Sequence, residues 1–212
     1  MAITAAAQKV WKGKEWFKVV SPSEIGDYVI GETPTLDSDA LVGKTIEASL
    51  MDLGGDPSKY FYKLKFRLMS VQNGKAMTRF EGLSCTRDYV LRMSQRRTTQ
   101  VRIVIDIKTK DGWSIRLKGI DVMNGIVQSA ISKEVRKQNE EIIRAAASER
   151  NMYELLNDIL SGTLQSTIKS YCSKTYPVRI CEITAIEVFS AGTIENKPVK
   201  AEEKIETVPE AQ

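Results

Sequence analysis

The feature that most constrains this chain is a change of hydrophobic period near residue 122. Before it, apolar residues alternate with polar ones; after it, they recur at helical spacing. Residues 60–71 form the clearest predicted strand, with Tyr62, Leu64, Phe66 and Leu68 on one face and Phe61, Lys63, Lys65 and Arg67 on the other. Residues 15–20 and 44–51 read as further strands, within a first 58 residues broken into short pieces by Pro22, Gly26, Gly31, Pro34, Gly43, Gly54, Gly55 and Pro57. From 123 to 150 there is no proline, and Val127, Ala130, Ile131, Val135, Ile142, Ile143 and Ala146 repeat as on one face of a helix. Two shorter helices are predicted over 151–160 and 163–173, separated by Gly162, and strand character returns over 178–189 after Pro177. The expected fold is α+β: an antiparallel-rich β-barrel in the N-terminal two-thirds, flanked by helices, with a returning C-terminal strand. One domain is expected over 15–190. A basic arm over 1–14 precedes it, and an acidic tail over 191–212, poor in large apolar residues, is read as disordered.

Two hairpins can be read to the residue. A two-residue loop at Asp111-Gly112 would mix buried and exposed faces. A three-residue loop, Lys110-Asp111-Gly112, instead sets Ile107 opposite Ile115, Ile105 opposite Leu117 and Asp106 opposite Arg116, with Gly112 in the left-handed conformation. The same test on Gln72-Asn73-Gly74 selects three residues, pairing Phe66 with Phe80, Lys65 with Glu81 and Arg67 with Arg79. Like charges directly opposite are unfavourable alone. The two guanidiniums either splay into solvent or hold a phosphate between them.

Composition then removes whole classes of function. The chain of 212 residues contains no histidine, and with it go the commonest general base, the commonest metal ligand and every Ser-His or Cys-His pair. Cys85, Cys172 and Cys181 are too widely spaced for a zinc site and odd in number, which points to reduced thiols. No P-loop, dinucleotide fingerprint or nucleophile elbow occurs, and Gly54-Gly55-Asp56-Pro57 reads as a turn. Glu140 and Glu141 read as a solvated helix face. No apolar run reaches the roughly 18–20 residues of a membrane span, and no secretory leader is recognisable. No enzyme, cofactor, metal or membrane partner is expected.

Charge is concentrated. Residues 59–118 carry 15 basic and 4 acidic side chains, net +11, while residues 1–58 carry 5 and 9, net −4. Such a block repels itself in a folded domain unless a polyanion lies alongside, so nucleic acid or an anionic surface is the expected partner. Its densest part is 86–100, where Thr86 or Ser84 can cap a helix of about three turns bearing Arg87, Arg92, Arg96 and Arg97, with Arg92 and Arg96 stacked at i,i+4. Arginine forks bind phosphates bidentately, and Ser94, Thr98, Thr99 and Gln100 supply neutral donors. Lys63, Lys65, Arg67, Lys75, Arg79 and Arg92 join the candidate contacts through charge geometry. Lys9, Lys12 and Lys14 join them from the N-terminal arm, where lysines interleave with Trp11, Trp16 and Phe17. Trp16 and Phe17 are assigned to the core, and Trp113 to a lid over the barrel.

Several pieces then occur in a telling order: Lys14-Glu15-Trp16-Phe17 with Ser21-Pro22, Leu41-Val42-Gly43-Lys44 leading into Leu50-Met51-Asp52-Leu53, Phe80-Glu81-Gly82, Thr86-Arg87, Arg96-Arg97-Thr98-Thr99, Thr109-Lys110-Asp111-Gly112 and Tyr176-Pro177. The set resembles the archaeal–eukaryotic ribosomal protein 3Ae family of the small subunit, also called 1e, over about residues 9–190. Lacking long lysine-rich extensions, the chain looks like an archaeal member. The resemblance implies a cytoplasmic, non-catalytic ribosomal protein on the platform of the small subunit. It would lie near the 3′ end of the rRNA and the messenger exit, with rRNA, neighbouring platform proteins and messenger RNA as partners. Family contacts to RNA carry over only onto Arg87, Arg96, Arg97, Thr98 and Thr99. A free RNA chaperone or translation-associated factor is the alternative.

Overall fold

Residues 14–72 and 74–192 are described by the computed structural model. Along them run β1 (Glu15–Val20), β2 (Val29–Thr35), β3 (Thr45–Ser49), β4 (Tyr62–Gln72), β5 (Lys75–Cys85), α1 (Arg87–Met93), β6 (Gln100–Lys108), β7 (Ser114–Met123), α2 (Ser129–Glu149), α3 (Met152–Ser161), α4 (Thr163–Cys172) and β8 (Val178–Ser190). The change of period falls where β7 gives way to α2, and the α+β class holds. Lys9, Lys12 and nearly all of the predicted tail lie outside the described residues.

The sheet branches at β5. One edge of β5 pairs antiparallel with β4, which carries β3 beyond it. The other edge meets two strands in turn: residues 75–77 pair parallel with β1, and residues 82–84 pair antiparallel with β8. From these, β1 continues to β2 and β8 continues to β7 and β6. At the junction, a Cβ on Gly82 would lie 2.5 Å from the Ile186 carbonyl oxygen, so only glycine lets β5 and β8 approach this closely.

The expected barrel is therefore corrected to an open, forked sheet. Among the described residues β2, β3 and β6 each pair with one strand only. Alternation records that one face is buried, not what buries it. Here helices do so: Val135, Ile143 and Ala147 of α2, Leu155, Leu156 and Ile159 of α3, and Leu164 and Ile168 of α4 share one core with Leu64, Phe66, Phe80, Ile103, Ile105, Ile115 and Leu117. A smaller core joins Phe17, Val19, Leu41, Leu68 and Ala76 beneath β1. Phe17 is core as expected, but Trp16 is 61% exposed, a correction that follows from its place opposite Pro34 on the uncovered face of the β1–β2 ribbon. Trp113 is fully buried, edge-on to Tyr153 of α3. Phe61 is buried too, although alternation puts it with the lysines: it precedes β4, and Tyr89 of α1 stacks on it with ring centroids 3.6 Å apart.

The β6–β7 hairpin has the three-residue loop and the register read from the sequence, with Gly112 at φ 78°. The β4–β5 hairpin differs. Only two residues separate Gln72 from Lys75, and irregularities between Leu68 and Ser70 and between Lys65 and Phe66 shift the register. Phe66 still faces Phe80 and Arg67 still faces Arg79, but Lys65 faces Gly82, not Glu81. A bulge can restore a face after a short loop, which face-matching on a perfect ladder does not anticipate.

One polar cluster pins the helices to the sheet. Buried Asn139 of α2 donates to Asp121 of β7, and the Cys172 thiol of α4 donates to the Asn139 side-chain oxygen at 3.0 Å. Burial pushes the Asp121 carboxyl above the usual carboxylate range and the Cys172 thiol up to about 12. Across the sheet, Tyr62 donates to Glu182 of β8 at 2.8 Å, and Gln165 of α4 donates to the Tyr62 hydroxyl at 3.2 Å.

Candidate nucleic-acid interface

α1 is seven residues long, not three turns. It ends at Met93, with the Ser94 amide donating back to Leu91, so Arg96 is not stacked on Arg92. Thr86 holds the N-cap position in extended conformation without a capping side-chain bond. What fixes the helix is its inner face: Met93 packs on Ile120 and Val122 of β7, with Tyr89, Val90 and Ile180 around them. Both faces of the sheet are thus covered at this end of β7, and Arg87 and Arg92 are left on the exposed side of α1.

The chain then turns sharply through residues 94–99. The Thr98 hydroxyl donates to the Gln95 carbonyl at 2.6 Å. Thr99 is tied three ways to the segment before α2: its amide donates to Gly125, its carbonyl accepts from Met123, and its hydroxyl accepts from the Val127 amide at 2.9 Å. Thr98 and Thr99 thus act first as braces of the turn. Between them and α1 stand Arg96 and Arg97, both exposed. Arg97 has φ 64°, and among the described residues no other non-glycine residue has positive φ. A left-handed arginine costs on the order of 1–2 kcal/mol, and such outliers persist where the surroundings impose them.

The turn is linked sideways to β8, where Arg179 donates to the Gln95 side chain. On its other side Arg92 donates to the hydroxyl of exposed Tyr60 at 3.4 Å, a long bond that places a flat ring beside the guanidinium. Among the described residues, Arg87, Arg92, Arg96, Arg97 and Arg179 enter no ion pair. They form one surface that mixes planar cations with an aromatic ring.

The other candidates are placed differently. Lys65 pairs with Glu47 of β3 at 3.1 Å, and Arg67 pairs with Glu81 at 2.7 Å, diagonal to it on β5. Arg79 is half-buried beside α3, where it and Glu24 both act on the Tyr153 hydroxyl, which burial pushes up to about 12. Lys63 is exposed on β4, and Lys75 stands at the start of β5 opposite Lys18. Lys14 is the first described residue. The structure therefore gathers Arg87, Arg92, Arg96 and Arg97 and sets the β4–β5 cations apart from them. Sequence reading missed Arg179 and Tyr60. Segment charge hid Arg179 in a nearly neutral stretch, and Tyr60 gave no signal beyond its place before a strand.

Among the described residues, the cations without an ion pair that gather here sit on an arginine-rich turn braced on a sheet, the surface of a binding protein suited to a polyanion. Over residues 4–192 the chain matches the ribosomal S3Ae family, and it belongs to that family of structural, non-enzymatic ribosomal proteins. Similar proteins named small ribosomal subunit protein eS1 occur in Methanococcus vannielii (34% identical, covering 97% of this chain and 90% of that one), Sulfurisphaera tokodaii (32%, covering 90% and 99%) and Pyrobaculum islandicum (32%, covering 97% and 93%). No helix among the described residues is long and apolar enough to cross a membrane.

Proposed function

We propose that this chain is a cytoplasmic constituent of the small ribosomal subunit that binds small-subunit rRNA through Arg87, Arg92, Arg96 and Arg97. Arg179 and Tyr60 extend the same surface. The observation that carries this reading is the turn itself: a strained arginine and its neighbour, beside a Thr99 held by two backbone bonds and one through its hydroxyl, and left without carboxylate partners. Arginine forks on a rigid turn suit the phosphates of a folded RNA, and an exposed tyrosine beside them offers a stacking face. Its place on the platform, close to neighbouring platform proteins, the 3′ end of the rRNA and the exiting messenger, rests on the family resemblance.

Lys63 and Lys75, with Lys9, Lys12 and Lys14, are secondary contacts in this reading. Lys65, Arg67 and Arg79 would reach RNA only by leaving their present carboxylate or aromatic neighbours. The test is sedimentation of lysates in high salt with wild type and an Arg96→Glu/Arg97→Glu variant. A subunit constituent stays with the small subunit, and the variant is depleted from it. Wild type that washes off entirely would instead indicate a visiting RNA chaperone.

A further inference from the structure

Next to the arginine turn lies a polar cleft of about 300 Å³ between α4 and β8, which the RNA surface described above does not include. Positions 162, 165, 166 and 169 share one side of α4, and this side faces residues 179–182 of β8 across the cleft. Lys169 and Arg179 bring two positive charges to it, and neither enters an ion pair among the described residues. α4 follows its N-cap Gly162, with the Thr163 amide donating to the Ser161 hydroxyl at 3.4 Å, and Ser161 and Gly162 line the cleft, so the positive end of a ten-residue helix lies at its edge. Glu182 supplies the one carboxylate. It accepts from Tyr62 at 2.8 Å and from Tyr89 at 3.3 Å, so its charge is held by the tyrosines behind the cleft wall.

Gln165 adds a second kind of evidence. It is only 6% exposed, and its side-chain nitrogen donates to the Tyr62 hydroxyl and, at 2.8 Å, to the Ile159 carbonyl. Those two bonds fix the amide's orientation. Its Oε1 is left buried without any donor, an arrangement that costs about 1–3 kcal/mol. The cleft wall thus combines cations and a helix N-terminus for an anion with an orphaned acceptor that an anion alone cannot satisfy.

We infer that this cleft holds one nucleotide of the bound RNA strand, its phosphate on Lys169 and Arg179 and its ribose 2′-hydroxyl donating to Gln165 Oε1. A phosphate binds the cations and the first turn of α4, and the 2′-hydroxyl is the donor that distinguishes RNA from DNA. Arg179, hydrogen-bonded to Gln95, connects the cleft to the arginine turn, so one strand can follow both. The inference rests on the RNA reading above and assigns it a polarity of sugar chemistry.

The experiment measures binding of a fluorescent single-stranded oligouridylate and of its 2′-deoxy counterpart to the full chain over a salt series. The comparison is between wild type, Lys169→Ala and Arg96→Ala/Arg97→Ala, with thermal melting of each. Lys169 is exposed, so its variant is expected to melt like wild type. Wild type should prefer the ribose probe, and Lys169→Ala should lower the salt slope by about one unit and narrow that preference. If Lys169→Ala leaves slope and preference unchanged while the Arg96/Arg97 variant loses affinity, the cleft is off the RNA path and this inference fails alone. Equal binding of the two probes by wild type overturns the 2′-hydroxyl assignment. If neither variant weakens binding, the RNA reading itself fails.

Discussion

Replacing Arg97 by glycine should make the free protein more stable and a poorer RNA binder at once. The residue holds φ 64°, a conformation that glycine adopts without penalty and that costs an L side chain about 1–2 kcal/mol. Against this stands the extra freedom glycine gives the unfolded chain, about 0.5–1 kcal/mol. The exposed side chain contributes no ion pair that would be lost. The net expectation for Arg97→Gly is a gain of about 0.5–1 kcal/mol. For a domain of this size each kcal/mol moves Tm by about 2–4 °C, so calorimetry should show a rise of about 1–4 °C. Arg97→Ala removes the same guanidinium but keeps the strain, and it should show no rise. Both variants should bind an rRNA fragment more weakly, with a salt slope lower by about one unit. A lower Tm for the glycine variant, or RNA binding equal to wild type, would refute the idea that strain is retained here to present a cation.

Three further outcomes follow from the packing. Arg67→Gln should destabilise the free protein by up to about 1 kcal/mol, because it strands Glu81, whereas Arg79→Gln should be neutral or slightly stabilising through relief of the Arg67–Arg79 opposition; chemical denaturation of the two single variants checks the order, and the reverse order would refute the pairing. Gly82→Ala should cost about 1–3 kcal/mol by forcing β5 from the Ile186 carbonyl, and an unchanged denaturation midpoint would show that the strands can part freely. Asp121 has its carboxyl pKa raised by burial, so its contribution is fully present below the ordinary aspartate range near about 3.9 and is lost as pH rises through the raised value. Relative to wild type, Asp121→Asn should therefore gain stability progressively as pH rises above about 4, and urea melts showing a pH-independent difference would refute that sign.

Much of the strand order's raw material was legible in the sequence because burial imposes period two. Residues 15–20 match β1, and the β6–β7 register follows from keeping Ile105, Ile107, Ile115 and Leu117 on one side. β2 escaped because Gly31 and Pro34 look like loop punctuation; as an edge strand it tolerates both. Closure escaped for a different reason. A strand buried on one face reads identically whether strands or helices cover it, and only the placement of α2, α3 and α4 decides. The start of α2 at Ser129 rather than 123 reflects β7 running on to Met123, buried on both faces beneath α1. Of the candidate site, the arginines at 87, 92, 96 and 97 were legible as a cluster. Their shape was not, because nothing local shows that α1 stops at Met93 or that Arg97 turns left-handed.

The electrostatic reading shows the same division between what a linear segment contains and what its neighbours in space supply. Residues 59–118 look strongly unbalanced, yet Lys65 is answered by Glu47 from β3, Lys118 by Glu187 from β8, and Arg116 by Asp106 across its own hairpin at 2.7 Å. A sheet exchanges charge between strands distant in sequence, so its outer face can be neutral in patches although β4, β5, β6 and β7 taken alone are each basic. A short helix followed by a tight turn has fewer such neighbours. Its cations project from one piece of chain, braced from beneath by Met93 and Thr99, and the β8 carboxylate beside it, Glu182, is taken by Tyr62 and Tyr89 instead. Four of the arginines without an ion pair among the described residues therefore lie within residues 87–97, while Arg79 on β5, Arg102 on β6 and Arg136 on α2 stand singly. The same reasoning explains Arg179, the first residue after Val178 on β8, which meets Gln95 instead of an acid. Where backbone geometry denies a cation its internal partner, the charge left over is the charge available to a polyanion.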